Sequence, residues 1–160
     1  MAGPNDCCKR HQEATAILRG IKAAAQKFCE LHKAEIIEMI PGKKLNKKGE
    51  PMPMAYKCNI GDFIFHIYFN RGWYWKYDGI TISKESMQLA INEHAVVVIF
   101  IGEAEYWRHS TLWLEWAEQD KSIYWNPLYK TWEVFIKRNN LARPAGHGNN
   151  YKVKDYFPNE

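Results

Sequence analysis

The sequence predicts an α/β fold: one domain over residues 1–142, with a mixed β-sheet, a central antiparallel hairpin, a βαβ crossover and flanking helices. Three observations predict it. An amphipathic stripe runs from Lys9 to Lys33, and the segment GDFIFHIYFNRGWYWKYDGITIS (Gly61–Ser83) alternates as strands do. The apolar run VVVIFI (Val96–Ile101) then follows a helical stretch, and a helix between two strands implies a parallel crossover.

The elements follow in order. Ile17, Ile21, Ala24, Phe28 and Leu31 recur at steps of three and four, the apolar face of a helix. AEIIEMI then reads as a short strand closed by Pro41–Gly42, and GKKLNKKGEPMP as a loop carrying four lysines. After the aromatic segment, Ser83 is placed to cap a helix over KESMQLAINEHA. VVVIFI, β-branched and bounded by Gly102, reads as a strand buried on both faces. EYWRHSTLWLEWAEQD places Tyr106, His109, Trp113 and Trp116 on one face of a helix. Asn126–Pro127 then suits the start of another helix, carrying Leu128, Trp132, Phe135 and Ile136. Residues 143–160 show no pattern and read as an irregular tail.

Within the aromatic segment, alternation separates two faces. Phe63, Phe65, Ile67 and Phe69 share one; Asp62, Ile64, His66 and Tyr68 share the other. A three-residue Asn70–Arg71–Gly72 loop would pair Phe69 with Trp73, Ile67 with Trp75 and Phe65 with Tyr77. One face becomes an aromatic core slab. The other sets His66 opposite Lys76, with Asp62 diagonal to Asp78 at roughly 5–8 Å between Cβ atoms. Two such carboxylates would share a divalent cation beside Lys76. The alternative is a solvated face with its charges pointing at water, against which Ile64, Ile80 and Ile82 count.

Composition narrows the classes. The 160 residues carry a net charge of +4 and are 46% hydrophobic, enough for a substantial core. That balance permits an acidic partner without requiring one. Cys7, Cys8, Cys29 and Cys58 form no C-x-x-C pair, and the histidines show no ligand spacing. Reduced thiols in a cytoplasmic protein are expected, and zinc is not. No apolar leader opens the sequence and no run reaches the roughly 18 residues of a membrane span, so no membrane partner is expected.

The order of helix, strand, strand–turn–strand, helix and strand resembles the core of the PD-(D/E)XK nuclease superfamily, a restriction-endonuclease-like core. The passage GITISKESMQLAINEHAVVVIFIGEAEYW is similar in texture to archaeal Holliday-junction resolvases, and the likeness spans residues 12 to 107. The resemblance implies a metal-dependent nuclease acting on DNA. Asp62 would be the first metal-binding aspartate, although Gly61 stands where proline is usual. Lys76 would be the catalytic lysine. Tyr74 replaces the acid expected two residues earlier, and Asp78 would supply the missing carboxylate. Glu30 from the first helix would complete the site around Mg²⁺ or Mn²⁺. Lys43, Lys44, Lys47, Lys48 and Arg71 would contact phosphates.

Two alternatives stand beside this one. Tyr74 would mark a catalytically inactive relative that still binds nucleic acid. A non-enzymatic interaction protein would use Trp107, Trp113, Trp116, Trp125 and Trp132, either as core or as the interface of a homodimer or other partner. A small-molecule pocket lacks any phosphate-cradling glycine loop or cofactor motif in its support.

Overall fold

The computed structural model describes residues 20–71, 79–128 and 130–138. Helix α1 (Ile21–His32) leads into β1 (Glu35–Leu45), β2 (Pro51–Ile60) and β3 (Phe63–Asn70). Then come β4 (Gly79–Ser83), α2 (Lys84–Asn92), β5 (Val96–Ile101), β6 (Ala104–His109), α3 (Ser110–Gln119), β7 (Ile123–Asn126) and β8 (Thr131–Lys137). The fold is mixed α/β. A five-stranded sheet runs β1-β2-β3-β5-β6, and a three-stranded antiparallel sheet runs β4-β8-β7. Among the described residues only the β3–β5 pair is parallel, and α2 lies in its crossover. None of the described helices is long and apolar enough to cross a membrane.

Alternation along the central strands builds two cores. Phe65, Ile67, Val96, Val98, Phe100 and Trp107 face α1, whose Ala24, Ala25 and Phe28 are buried against them. The small alanines let the helix approach closely, and Phe28 packs against both the Phe65 and Trp107 rings, which also touch each other edge to face. Burying a side chain of that size stabilises by about 1.5–3 kcal/mol. On the opposite face Tyr68, Val97, Ile99 and Ile101 meet Met87 of α2, Trp113 of α3, and Ile80, Ile82, Val134 and Ile136 of the small sheet. Strand β5 is therefore buried on both faces, as its unbroken apolar run predicts. Helix α2 begins as expected, with the Ser83 hydroxyl accepting from the Ser86 amide.

Several expectations are corrected. The predicted hairpin between Phe63–Phe69 and Trp73–Tyr77 fails at its centre. Phe65 and Ile67 pair with Cys58 and Tyr56 on one side and with Val96 and Val98 on the other, so both edges of β3 are taken at these positions, while the Trp73–Tyr77 arm itself lies outside the described residues. The central hairpin is β2–β3, and β4 belongs to the second sheet. The face of β3 expected to carry charges into solvent is the second core, because the crossover lays α2 and the small sheet over it.

Strand β1 does not stop at Pro41–Gly42. It is an edge strand, where the missing proline amide costs no ladder bond, and the register shifts around Pro41. The lysine loop shrinks to a tight turn over residues 46–50. There Asn46 Oδ1 accepts from the amides of Lys48 and Glu50, and Gly49 supplies the positive φ of 80°. Residues 104–109 form a strand rather than the first turns of a helix. The helix expected after Asn126–Pro127 is the strand β8, and Asn126 Oδ1 instead accepts from the Leu128 amide in a turn. Leu31 is exposed, off the buried stripe of α1. A Cβ on Gly79 would overlap the Phe135 ring and the Ile136 carbonyl, so the β4–β8 contact needs glycine there.

Candidate functional site

The residues named for a metal centre divide sharply. Asp62 sits exposed in the β2–β3 turn after Gly61 at φ 60°, a turn that Asn59 braces by donating to the Gly61 carbonyl at 3.1 Å. Glu30 is exposed on α1. Lys76 and Asp78, with Tyr74, lie outside the described residues, as does the tail. No three metal-ligating side chains gather among the described residues. The residues that follow Asp62 on β3 pair with β2, and the Asp78 end of the expected ladder lies outside the described residues. Arg71 is exposed just beyond β3.

The lysines are brought together better. Lys43 and Lys44 end β1, and Lys47 and Lys48 sit in the turn, all exposed. The outer part of this hairpin (Pro41–Lys44 and Met52–Met54) lies against Thr81, Ser83, Thr131 and Glu133 of the small sheet, enclosing a cavity of about 400 Å³. Burial in that wall pushes the Glu133 carboxyl above its ordinary value. A second concavity of about 310 Å³ adjoins it and shares Lys43, Glu85 and Thr131. Lys84, Gln88 and Lys130 complete its polar lining, and Trp125 and Trp132 its apolar wall.

The tryptophan wall follows from strand geometry. Trp125 and Trp132 are direct cross-strand partners in the β7–β8 hairpin, two residues beyond the Ile123–Val134 pair that reaches the core. They share the core-facing side but lie past the edge of the core, leaving them 47% and 50% exposed. Their rings touch edge to face, with centroids 5.6 Å apart at 68°. The lining of the second concavity is net positive and so favours anions: three lysines stand against Glu85, which lies 3.6 Å from Lys43. The larger cavity sets Lys43 and Lys44 against Glu85 and Glu133, a balance of zero.

A buried polar cluster lies elsewhere. The His66 ring, fully buried on β3, meets Glu93 at 2.7 Å, and Lys57 bridges Glu93 at 2.6 Å and Glu38 at 2.7 Å. Burial lowers the His66 pKa despite the adjacent carboxylate, so the neutral ring donates from Nε2. Burial alone would raise Glu93, but the hydrogen bonds from Lys57 and His66 outweigh it and hold the carboxyl below its ordinary value. Likewise the hydrogen bonds to Glu38 and Glu93 outweigh burial at Lys57 and raise it. This cluster ties the end of α2 to the sheet. Tyr68 adds a second tie, to Ser86 in the same helix. Lys57 and His66 are direct cross-strand partners, a pairing visible only once PMPMAYKCNI is seen as a strand. No family model, curated protein or solved structure matches this chain.

Proposed function

We propose that this protein binds nucleic acid, with the lysines at the outer end of β1 and its turn leading into the groove beside the small sheet. One observation carries the reading: Lys43 lines both concavities, and Lys84 and Lys130, from two further elements, converge with it on the second. Lysines from three separate parts of the chain concentrate positive field at one concave surface, where a phosphate backbone releases counterions on binding. The net charge of +4 is modest, so this local arrangement matters more than the total.

The test is a salt titration of affinity for duplex, branched and single-stranded DNA. Binding should weaken as salt rises, with a log–log slope that becomes shallower in a Lys43, Lys44, Lys47, Lys48→Ala variant. Each lost phosphate contact removes about 0.7–0.9 from that slope. An unchanged slope, or no binding at low salt, would sink the reading.

A second reading, Mg²⁺- or Mn²⁺-dependent phosphodiester cleavage, is favoured by the element order. Helix α1, the β1–β3 meander, the α2 crossover and the parallel β5 give the same run of helix, strands, helix and strand as the resemblance to PD-(D/E)XK nucleases, with β4 inserted before α2 and with β2–β3 in place of the hairpin expected to carry Lys76. Cleavage of the same substrates that Asp62→Ala abolishes would support it. Activity undiminished in that variant would refute the role of Asp62, and DNA binding without cleavage would mark an inactive relative.

A further inference from the structure

We infer that Trp125 and Trp132 form a stacking platform for unpaired bases, so that the preferred ligand is single-stranded nucleic acid; this rests on the nucleic-acid reading above. Both indoles keep about half their surface in water, although each has a partner ring across the β7–β8 ladder. Because the two rings touch, a base does not enter between them and stacks instead on an outer face of the pair. The contact also fixes the indoles before a ligand arrives, which lowers the ordering cost of binding.

The surroundings select the ligand. Lys43, Lys84 and Lys130 line the same concavity as the rings, placing cations within one side chain's reach of the stacking surface. A nucleotide requires that combination, an aromatic face for the base with positive charge alongside for the phosphate. Protein–protein interfaces are depleted in lysine at their centres, which argues against an apolar protein partner here. Paired bases keep their faces inside the duplex stack and cannot lie flat on an indole. At about 310 Å³ the concavity is at the small end of ligand sites, suited to a single base unit rather than a duplex.

The experiment measures fluorescence anisotropy of labelled oligothymidylate, a duplex of equal length and an abasic strand of equal charge, using the full chain at fixed low salt. The wild type should favour oligothymidylate over the abasic strand by about tenfold, the loss expected for one base stack. Trp132→Ala and Trp125→Ala should each bring oligothymidylate down to the abasic level, with duplex affinity changing less than twofold. The abasic comparison needs no variant, so it stands even if one of these fails to fold. Equal wild-type affinity for oligothymidylate and the abasic strand would overturn the platform. So would tryptophan variants that bind like wild type. If Lys43, Lys84 and Lys130→Gln then weakens every ligand, the nucleic-acid reading survives without it. If no oligonucleotide binds the wild type, both fail together.

Discussion

Two tryptophan pairs in this molecule have nearly the same internal geometry and opposite surroundings. Trp113 and Trp116 of α3 meet edge to face at 5.7 Å, and Trp125 and Trp132 at 5.6 Å. Yet Trp113 is wholly buried in the core beneath the small sheet, whereas the second pair stands half in water. Ring contact therefore does not decide how exposed a tryptophan is in this chain. What distinguishes the two pairs is what surrounds the rings: Met87, Val134 and Ile136 belong to the core around Trp113, while lysines line the concavity beside Trp125 and Trp132.

The comparison is broken most forcefully at Trp113. Replacing it with Ala removes the largest fully buried side chain among the described residues, from a core that joins α2, α3 and both sheets. The expected loss is about 3–5 kcal/mol, the range for large aromatic-to-alanine changes. Its indole Nε1 has no hydrogen-bond partner among the described residues, so Trp113→Phe should recover much of that loss. Denaturant unfolding of the two variants checks both values. A loss under about 1 kcal/mol for the alanine variant would mean that this core is not as closed as the geometry requires.

The polar cluster should give the next largest effect. In Glu93→Ala, Lys57 keeps Glu38, but the buried Nε2 of His66 loses its acceptor. An orphaned buried polar group costs about 1–3 kcal/mol, again read from denaturant unfolding. Glu38 is more exposed than Glu93 and pairs with Lys57, while Glu93 holds both Lys57 and His66. Glu38→Ala should accordingly cost well under half as much as Glu93→Ala, and an equal cost would show that the cluster is held from its outer end.

The parts of this fold that were legible in the sequence are those where one periodic signal dominated. VVVIFI could only be a doubly buried strand, and Ser83 followed by a mixed apolar stretch announced α2. The alternation Phe63, Phe65, Ile67, Phe69 identified a genuine core face. Errors arose where two signals competed. Asn126–Pro127 serves a turn as well as a helix start, and it drew TWEVFIK away from its own strand alternation. The aromatic spacing of Tyr106 and His109 imitated a helix, although Glu105, Trp107 and His109 alternate inward on β6. PMPMAYKCNI was hidden by its prolines, and with it the true partner of β3. The exposure of Lys43 was legible from its lysine-rich, glycine- and proline-flanked setting. The exposure of Trp125 and Trp132 was not, because it depends on how far β7 and β8 extend past the core.

A smaller effect follows from pH. His66 is buried neutral, and its pKa in the fold lies below the ordinary 6.5, with burial the main cause. Glu93 faces its ring across the crossover, and Lys57 and Glu38 stand beyond it. His109 is lowered too, by burial and then by the neighbouring His94. The unfolded chain therefore binds more protons than the native one just below pH 6.5, and stability must fall as pH drops through that range. The contribution is fully present above pH 6.5 and is lost toward the folded-state pKa, at no more than about 1.4 kcal/mol per pH unit for each imidazole. Chemical denaturation between pH 8 and 5 checks the sign. Stability that rises on acidification would show that His66 is charged in the fold.

The smallest stability effect is expected where the largest binding effect is. Trp132→Ala removes a ring that makes a cross-strand contact but closes no core, so its cost should stay near the ~0.2–1 kcal/mol of such a pair. Trp113→Ala reverses the pattern, with a large stability loss at a residue that lines neither concavity. Plotting each variant's unfolding free energy against its affinity for oligothymidylate should therefore place the two substitutions on opposite axes. If Trp132→Ala instead unfolds the protein as readily as Trp113→Ala does, the exposed pair is structural and the difference between the two pairs is one of solvent access alone. If it leaves stability intact and affinity falls, equal ring geometry has been put to two uses in one chain.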